Sequence, residues 1–335
     1  MPSKIAVIGA GSWGTTLAIL LAEKQYDVTL WVFEKEELPR LETERINTKY
    51  LPGVAFPENL NLTGDLIEAV SGVEIIVMAS PSHVVRSICQ QFANHIQKHQ
   101  IVVNVSKGID NDTLKRMSEV IQETLSIPAE QVAVLYGPSH AEEVSRKIPT
   151  AVVSASNSIE TARRVRDIFR TEYFRVYSSE DIIGVELGGS LKNVIAIAAG
   201  ICDGAGFGDN TKAALLTRGM VEMTRLGVVV GARAETFAGL SGIGDLIVTC
   251  TSKHSRNRYV GEQIGKGRSL QDVLDEMVMV AEGVKTTRSV HQLSKKYNVE
   301  MPISEQVYEV LFNNKKPKDA LRELMLREPK EEKLA

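Results

Sequence analysis

Ile5-Ala6-Val7-Ile8-Gly9-Ala10-Gly11-Ser12-Trp13-Gly14 is an apolar strand running directly into a GxGxxG pattern, and a helical pattern begins near Thr15. A lone GxGxxG is a weak signal. Here a second apolar strand, Val28 to Phe33, follows the helix and ends in Glu34, about twenty residues beyond Gly14. In such a βαβ unit the glycines let the backbone approach a pyrophosphate and the helix N-terminus attracts its charge. The acid accepts hydrogen bonds from the adenosine ribose hydroxyls. Gly9, Gly11, Gly14 and Glu34 are therefore expected at a dinucleotide. A carboxylate at Glu34 repels the extra 2′-phosphate of NADP, so NAD is the expected preference. NADP stays open if Lys35 or Arg40 turns toward that phosphate.

Working outward, strands and helices keep alternating: Ile75 to Ala79, a helix from about Ser82, Ile101 to Val105, a helix from about Thr113, then Val132 to Tyr136. Near-continuous apolar strands separated by helices predict a parallel sheet covered on both faces. Thr150 to Ala155 and Phe174 to Tyr177 extend it around a helix from Ile159 to Phe169. Beyond about residue 180 only helical patterns remain: Gly184 to Cys202, Thr211 to Val230, Ser269 to Met277, Thr286 to Tyr297, Ile303 to Phe312 and Lys318 to Leu326. Ser269 to Asp272 has the form of a capping box, and Pro302 and Pro317 stand where helices begin. The expected fold class is α/β, a Rossmann-type doubly wound, mostly parallel sheet followed by an all-α C-terminal domain. Its domains are 1–180, binding NAD(P), and 181–335, helical, with a frayed charged tail from Glu328.

The chain has 335 residues, 43% hydrophobic and 24% charged, the composition of a globular protein of about two domains. A net charge of −3 argues against a general nucleic-acid binder and points to a small partner. Cys89, Cys202 and Cys250 form no CxxC pair and no complete disulfide set, so a reducing, cytoplasmic compartment is expected. The N-terminus lacks a signal-peptide pattern, and no uninterrupted apolar run reaches membrane-spanning length. His95 and His99, four apart on an expected helix, lack the Glu of a zinc-protease motif and a third ligand; no metal is expected.

Ligands of an open parallel sheet collect at the carboxyl ends of its strands. There the chain places Ser80-Pro81-Ser82-His83, Ser106-Lys107-Gly108 and Gly137-Pro138-Ser139-His140-Ala141-Glu142. An ammonium at Lys107, in a tight turn facing the sheet edge, would hold a substrate anion or polarise a carbonyl. In the helical half, Lys192 shares a face with Gly188, Gly189, Ala196 and Ala199. That face either leaves room beside the ammonium for a ligand or lets the lysine stem reach water. Asp245 follows two glycines and precedes an apolar run, an odd place for a carboxylate unless it pairs with a buried cation such as Lys192. Ser255-Arg256-Asn257 offers a hydroxyl, a guanidinium fork and an amide, a set suited to phosphate.

With Gly9 to Thr15, Lys107-Gly108, Gly137 to Ala141, Leu191 to Val194, Gly244 to Leu246, Ser255 to Asn257 and Ala281 to Gly283, the chain resembles the soluble NAD(P)-dependent glycerol-3-phosphate dehydrogenases along nearly its whole length. The resemblance implies an oxidoreductase that reversibly reduces dihydroxyacetone phosphate to sn-glycerol 3-phosphate, a phospholipid precursor. It implies Lys192 as the catalytic acid/base, with Lys107 and Asp245 beside it. Lys107, Gly137, Ser139, Lys192, Asp245, Ser255, Arg256 and Asn257 would line the substrate. Ser12, Trp13, Phe33, Lys107, Ala141, Arg256, Val280 and Glu282 would join the motif glycines and Glu34 at the cofactor. The family also suggests a homodimer. Trp31 to Glu34 resembles the NAD-using eukaryotic branch, whereas the Asp245 to Arg256 loop looks bacterial. Two other readings stay open: a β-hydroxyacid dehydrogenase, which needs a carboxylate clamp in place of a phosphate site, and a catalytically silent NADH-binding regulator.

Overall fold

A computed structural model describes residues 3–329 and 331–332. Eight strands form one sheet: β1 Lys4–Ile8, β2 Asp27–Trp31, β3 Leu60–Thr63, β4 Ile75–Met78, β5 Ile101–Asn104, β6 Val132–Tyr136, β7 Thr150–Ser156 and β8 Phe174–Ser179. Their order is β3-β2-β1-β4-β5-β6-β7-β8. All pairings are parallel except β6 with β7. Because successive side chains point to opposite faces, Ile5 and Val7 enter one core while Ala6 and Ile8 enter the other. Burial of both faces is why these strands read as unbroken apolar runs. The chain winds outward from β1 to β3, then crosses back to β4. The β1/β4 boundary is thus the switch point where a doubly wound sheet opens a crevice.

The β3 strand was not legible, since Leu60-Asn61-Leu62-Thr63 is short and polar by half. The helix expected from Thr113 begins at Met117 instead. His95 closes a short 3₁₀ turn after Phe92 and His99 lies beyond it, so the two do not share a helix face. The first helix, Ser12–Glu23, starts inside the glycine pattern and not at Thr15.

The chain forms two compact units, one of Met1–Ser106 with Met117–Ile182, the other of Lys107–Arg116 with Ile183–Ala335. The ten-residue exchange of Lys107–Arg116 has a packing cause: Ile109 is buried in the helical core, and Leu114 packs against that core. In the helical unit Ser269 caps Leu270–Asp275 by accepting from the Asp272 N–H at 3.2 Å. Pro302 and Pro317 open the helices Pro302–Phe312 and Pro317–Met325. Part of the expected frayed tail, Lys330 and 333–335, lies outside the described residues.

Ile182–Ala205 is long and apolar enough to cross a membrane by length and composition, although Glu186 and Lys192 interrupt its apolar run. It is a core helix, with 94% of its apolar window buried inside the chain. Of the small residues on the Lys192 face, Gly188 has a different use from the one expected. A Cβ on Gly188 would stand 2.6 Å from the Ser241 carbonyl oxygen, so this glycine admits a neighbouring backbone and does not leave room for a ligand. Snorkelling is excluded as well, because Lys192 is only 6% exposed.

Candidate active site

In the sheet unit the expected cofactor residues gather at the carboxyl end of β1. Gly9 adopts φ +118°, and the Ser80 hydroxyl donates to the Ile8 carbonyl at 3.0 Å, tying β4's end to the turn. A Cβ on Gly14 would lie 1.9 Å from the Gly9 carbonyl oxygen, so the turn closes only without one. Gly11, by contrast, has no atom within 4 Å of a notional Cβ. It N-caps Ser12–Glu23 with no side-chain cap. An open backbone at an uncapped helix N-terminus fits the pyrophosphate of a dinucleotide. Trp13 packs partly against the core, with its ring 6.3 Å from that of Phe174. Phe33 lies just past β2, edge-on to Trp31 and 72% exposed, and its ring is available to a planar ligand. Ala141 begins a short helix, and its carbonyl accepts from Thr16 at 3.5 Å. Gly137 (φ +148°) and Ser139 follow β6, where the Ser139 hydroxyl donates to the Gly137 carbonyl at 3.0 Å.

Glu34 is not bare. Its Oε1 accepts from Lys49 Nζ and from the Tyr50 hydroxyl, both at 2.8 Å. Burial would raise its pKa, but these two partners outweigh it and hold the carboxyl below the usual range. Arg40 is occupied by Glu37 and Glu44. A cation therefore stands beside the acid that is expected to select against a 2′-phosphate, and that cation is Lys49. Replacing Glu34 with Ser should raise the kcat/KM ratio of NADPH over NADH by about tenfold, a change of ~1.4 kcal/mol. A ratio that does not move would remove Glu34 from cofactor choice.

In the helical unit the structure joins Lys107, Lys192 and Asp245, which are far apart in sequence. Asp245 Oδ1 accepts from Lys192 Nζ and Oδ2 from Lys107 Nζ, each at 2.6 Å. The carboxylate is 1% exposed. Burial pushes its pKa up, but the two ammonium groups prevail and hold it below the usual carboxylate range. Burial also acts on Lys192, where it is the largest influence; Asp245 opposes it, Lys107 reinforces it, and the pKa falls from 10.5 to about 8. Lys192 makes a second bond, to Thr249 Oγ1 at 2.5 Å. Since the Thr249 hydroxyl donates to the Asp245 carbonyl at 2.6 Å, it must accept from the lysine. An ammonium has three donors, so one N–H is left for a ligand.

Lys107 was expected to face the sheet edge. Its ammonium lies instead on Asp245, within the helical unit. The stretch expected as a long Asp245 to Arg256 loop is largely helical: a π-helical turn, Leu240–Gly244, leads into Asp245–Thr251, and only four residues intervene before Arg256–Gly265. Thr249 stands out in the sequence within the same cluster, but reading the stretch as a loop leaves it without a role. Four residues on from Asp245, it lies on the same helix face, a spacing that would have signalled one.

The second cluster is partly spent on building the site. Ser255 N-caps Arg256–Gly265 by accepting from the Arg258 N–H at 3.2 Å. The Asn257 amide donates to Asn193 Oδ1 and accepts from the Gly283 N–H, both at 2.9 Å. This pins the N-terminus of that helix to the residue after Lys192 and to the start of Glu282–Lys296, whose first residue is Glu282. Arg256 Nη1 donates to the Val280 carbonyl at 3.0 Å, which brings two expected cofactor contacts together. A helix N-terminus carrying Arg256 suits an anion in both partial and formal charge.

Residues 4–162 match the profile described as NAD-dependent glycerol-3-phosphate dehydrogenase N-terminus, and residues 181–322 the profile of its C-terminus. A glycerol-3-phosphate dehydrogenase (NAD(P)+) from a strain of Chlorobium phaeobacteroides is 57% identical over 330 residues, 98% of this chain and 99% of that protein. Among solved structures, the glycerol-3-phosphate dehydrogenase of Coxiella burnetii matches with a TM-score of 0.93 at 39% identity, over 97% of this chain and 99% of that one. That of Saccharomyces cerevisiae matches at 0.84 and 30% identity, over 98% and 100%.

Proposed function

Because the chain belongs to the NAD-dependent glycerol-3-phosphate dehydrogenase family, we propose that Lys192 is the proton donor and acceptor of its reaction. That reaction is the reversible NAD(P)H-dependent reduction of dihydroxyacetone phosphate to sn-glycerol 3-phosphate. The observation that supports the assignment is a buried ammonium held at two of its three N–H groups by Asp245 and Thr249.

The nicotinamide cofactor, when bound, supplies hydride to the ketone carbon. On the sheet unit Gly9, Gly11, Ser12 and Gly14 would hold its pyrophosphate, and Trp13, Phe33, Glu34 and Ala141 would take the rest of it. Lys192 gives a proton to the oxygen that becomes the hydroxyl, and takes it back in the oxidation direction. Two ammonium groups face one carboxylate, so the cluster keeps a net positive charge where alkoxide character develops. Lys107 supplies that surplus and orients the substrate. Asp245 and Thr249 aim Lys192. Arg256 and the helix N-terminus at Ser255 and Asn257 receive the phosphate end of the substrate.

Arg256→Ala should raise KM for dihydroxyacetone phosphate by about 10- to 100-fold, the loss of a charge-assisted fork worth ~1.5–3 kcal/mol, while NADH binding changes less. Steady-state kinetics with dihydroxyacetone phosphate and unphosphorylated dihydroxyacetone tests the phosphate assignment. Equal turnover of the two ketones would refute it. The three free, buried cysteines suit a reducing interior. We place the enzyme in the cytoplasm as a homodimer, which cell fractionation and sedimentation velocity check.

A further inference from the structure

The loop that carries Lys107 is fastened to the helix that carries Lys192 at two points. Near its start the Gly108 carbonyl accepts from the Ser190 hydroxyl at 3.3 Å. At its end Arg116 Nη1 donates to Glu186 Oε2 at 2.6 Å. Glu186 and Ser190 are one helical turn apart, so a single face of Ile182–Ala205 grips both ends of the loop. The loop closes on itself by an antiparallel bridge between Ile109 and Arg116 and a bond from Asp110 N–H to the Lys115 carbonyl at 2.9 Å. Ile109 enters the helical core, and Ser289 bonds Asn111.

The ion pair is deeply placed, with the Glu186 side chain 2% and the Arg116 side chain 14% exposed. A buried pair gains little stability over an apolar pair of the same volume, because desolvation offsets the attraction. Its geometric demand is strict, however, since a guanidinium and a carboxylate bond well in few orientations. Such a pair specifies register. Neither residue belongs to the substrate or cofactor set.

We propose that Glu186 and Arg116 are positioning residues, whose buried ion pair sets the loop Lys107–Arg116 in the register that seats the Lys107 ammonium on Asp245. The inference rests on the reading that Lys107 and Lys192 act together on the substrate. Lys192 then depends on Glu186 indirectly. The charged and titratable groups bearing on Lys192 are Asp245, which stabilises its proton, Lys107, which repels it, and Cys250. Withdrawing Lys107 removes repulsion and leaves the Lys192 proton held more tightly.

The test compares wild type, Glu186→Gln, Arg116→Lys and Lys107→Met in the full-length enzyme. Folded fraction comes from circular dichroism, Kd for NADH from fluorescence, and kcat and KM from dihydroxyacetone phosphate reduction across pH. Glu186→Gln should lower kcat about 10- to 100-fold, as expected when a catalytic contact is misplaced by an ångström or so. Kd for NADH should stay within about twofold. The alkaline limb of kcat/KM should move to higher pH, and Arg116→Lys, which keeps the cation, should retain part of the rate. Wild-type kcat and an unmoved limb in Glu186→Gln would overturn the proposal. So would a rate loss that merely follows the folded fraction with the limb in place. If Glu186→Gln does not fold, Arg116→Lys decides: a shifted limb supports the proposal and a wild-type profile overturns it. Lys107→Met separates the two layers. Wild-type behaviour there defeats the underlying reading of Lys107, whereas an impaired Lys107→Met beside a normal Glu186→Gln defeats only the positioning role.

Discussion

Lys192→Met lowers kcat for dihydroxyacetone phosphate reduction by about 10²–10⁴-fold, the usual contribution of a positioned general acid, while NADH still binds. Methionine keeps much of the length and apolar stem of lysine, so packing along Ile182–Ala205 survives and the loss reports on the proton. Its removal also relieves the cluster, since Asp245 keeps Lys107 as partner. The same assignment fixes a pH profile for the native enzyme. With Lys192 at about 8, the ammonium form needed for reduction disappears above that pH, and kcat/KM falls about tenfold per unit. The oxidation direction needs the neutral amine and falls below it. Stopped-flow or steady-state rates in both directions give mirror-image limbs. A Lys192→Met enzyme with wild-type turnover would end the assignment, and parallel limbs would deny Lys192 the proton.

Asp245→Asn has the second large effect, on stability as well as rate. The carboxylate is the shared counter-charge of two lysines, and replacing it with an amide leaves their charges uncompensated in a buried site. Breaking a buried pair by removing one partner costs about 3–5 kcal/mol. For a protein of this size, that corresponds to a Tm lower by about 4–7 °C. The pH dependence identifies the cause. Asp245 has a folded pKa below its unfolded one, so its contribution is fully present above the unfolded value of about 4 and is lost as pH falls through the folded pKa. The gap in stability between wild type and variant should be full at pH 7 and narrow on acidification below about 4. Loss of Asp245 also removes what holds the Lys192 proton, so the alkaline limb moves to lower pH, opposite to the shift expected for Glu186→Gln. Rate loss accompanied by an unchanged Tm at pH 7 would show that the carboxylate does not balance buried charge.

The strand, glycine turn and helix proposed to hold the cofactor were largely legible in the chain because they are local. Strand, glycine turn, helix and Glu34 lie within the first thirty-four residues, and each element has a periodicity or a turn residue that announces it. Legibility declined where context overrides local preference. Leu60–Thr63 is a strand because β2 offers it a parallel partner, not because its own pattern demands it. The Asp245 to Arg256 stretch looked like a loop, since glycines before it and polar residues within it interrupt the apolar rhythm. It is largely helical, and the π-helical turn before Asp245 needs a glycine at Gly242, where a Cβ would stand 2.0 Å from the Phe237 carbonyl oxygen.

Lys107 illustrates the limit most directly. Its chemistry could be read from a cation after a strand, but its position could not, because the destination of an ammonium is set by a carboxylate 138 residues away. What the residues alone determined was the fold class, the dinucleotide motif and the kinds of group a phosphate and a ketone require: these rest on backbone periodicity and side-chain chemistry, which are properties of short stretches. What only the tertiary structure decided was the arrangement of charge. It is folding that buries Lys192 on two partners, draws the Lys107–Arg116 loop into the helical unit, and makes Asp245 serve two cations, since burial and distance are sums over the whole packed chain.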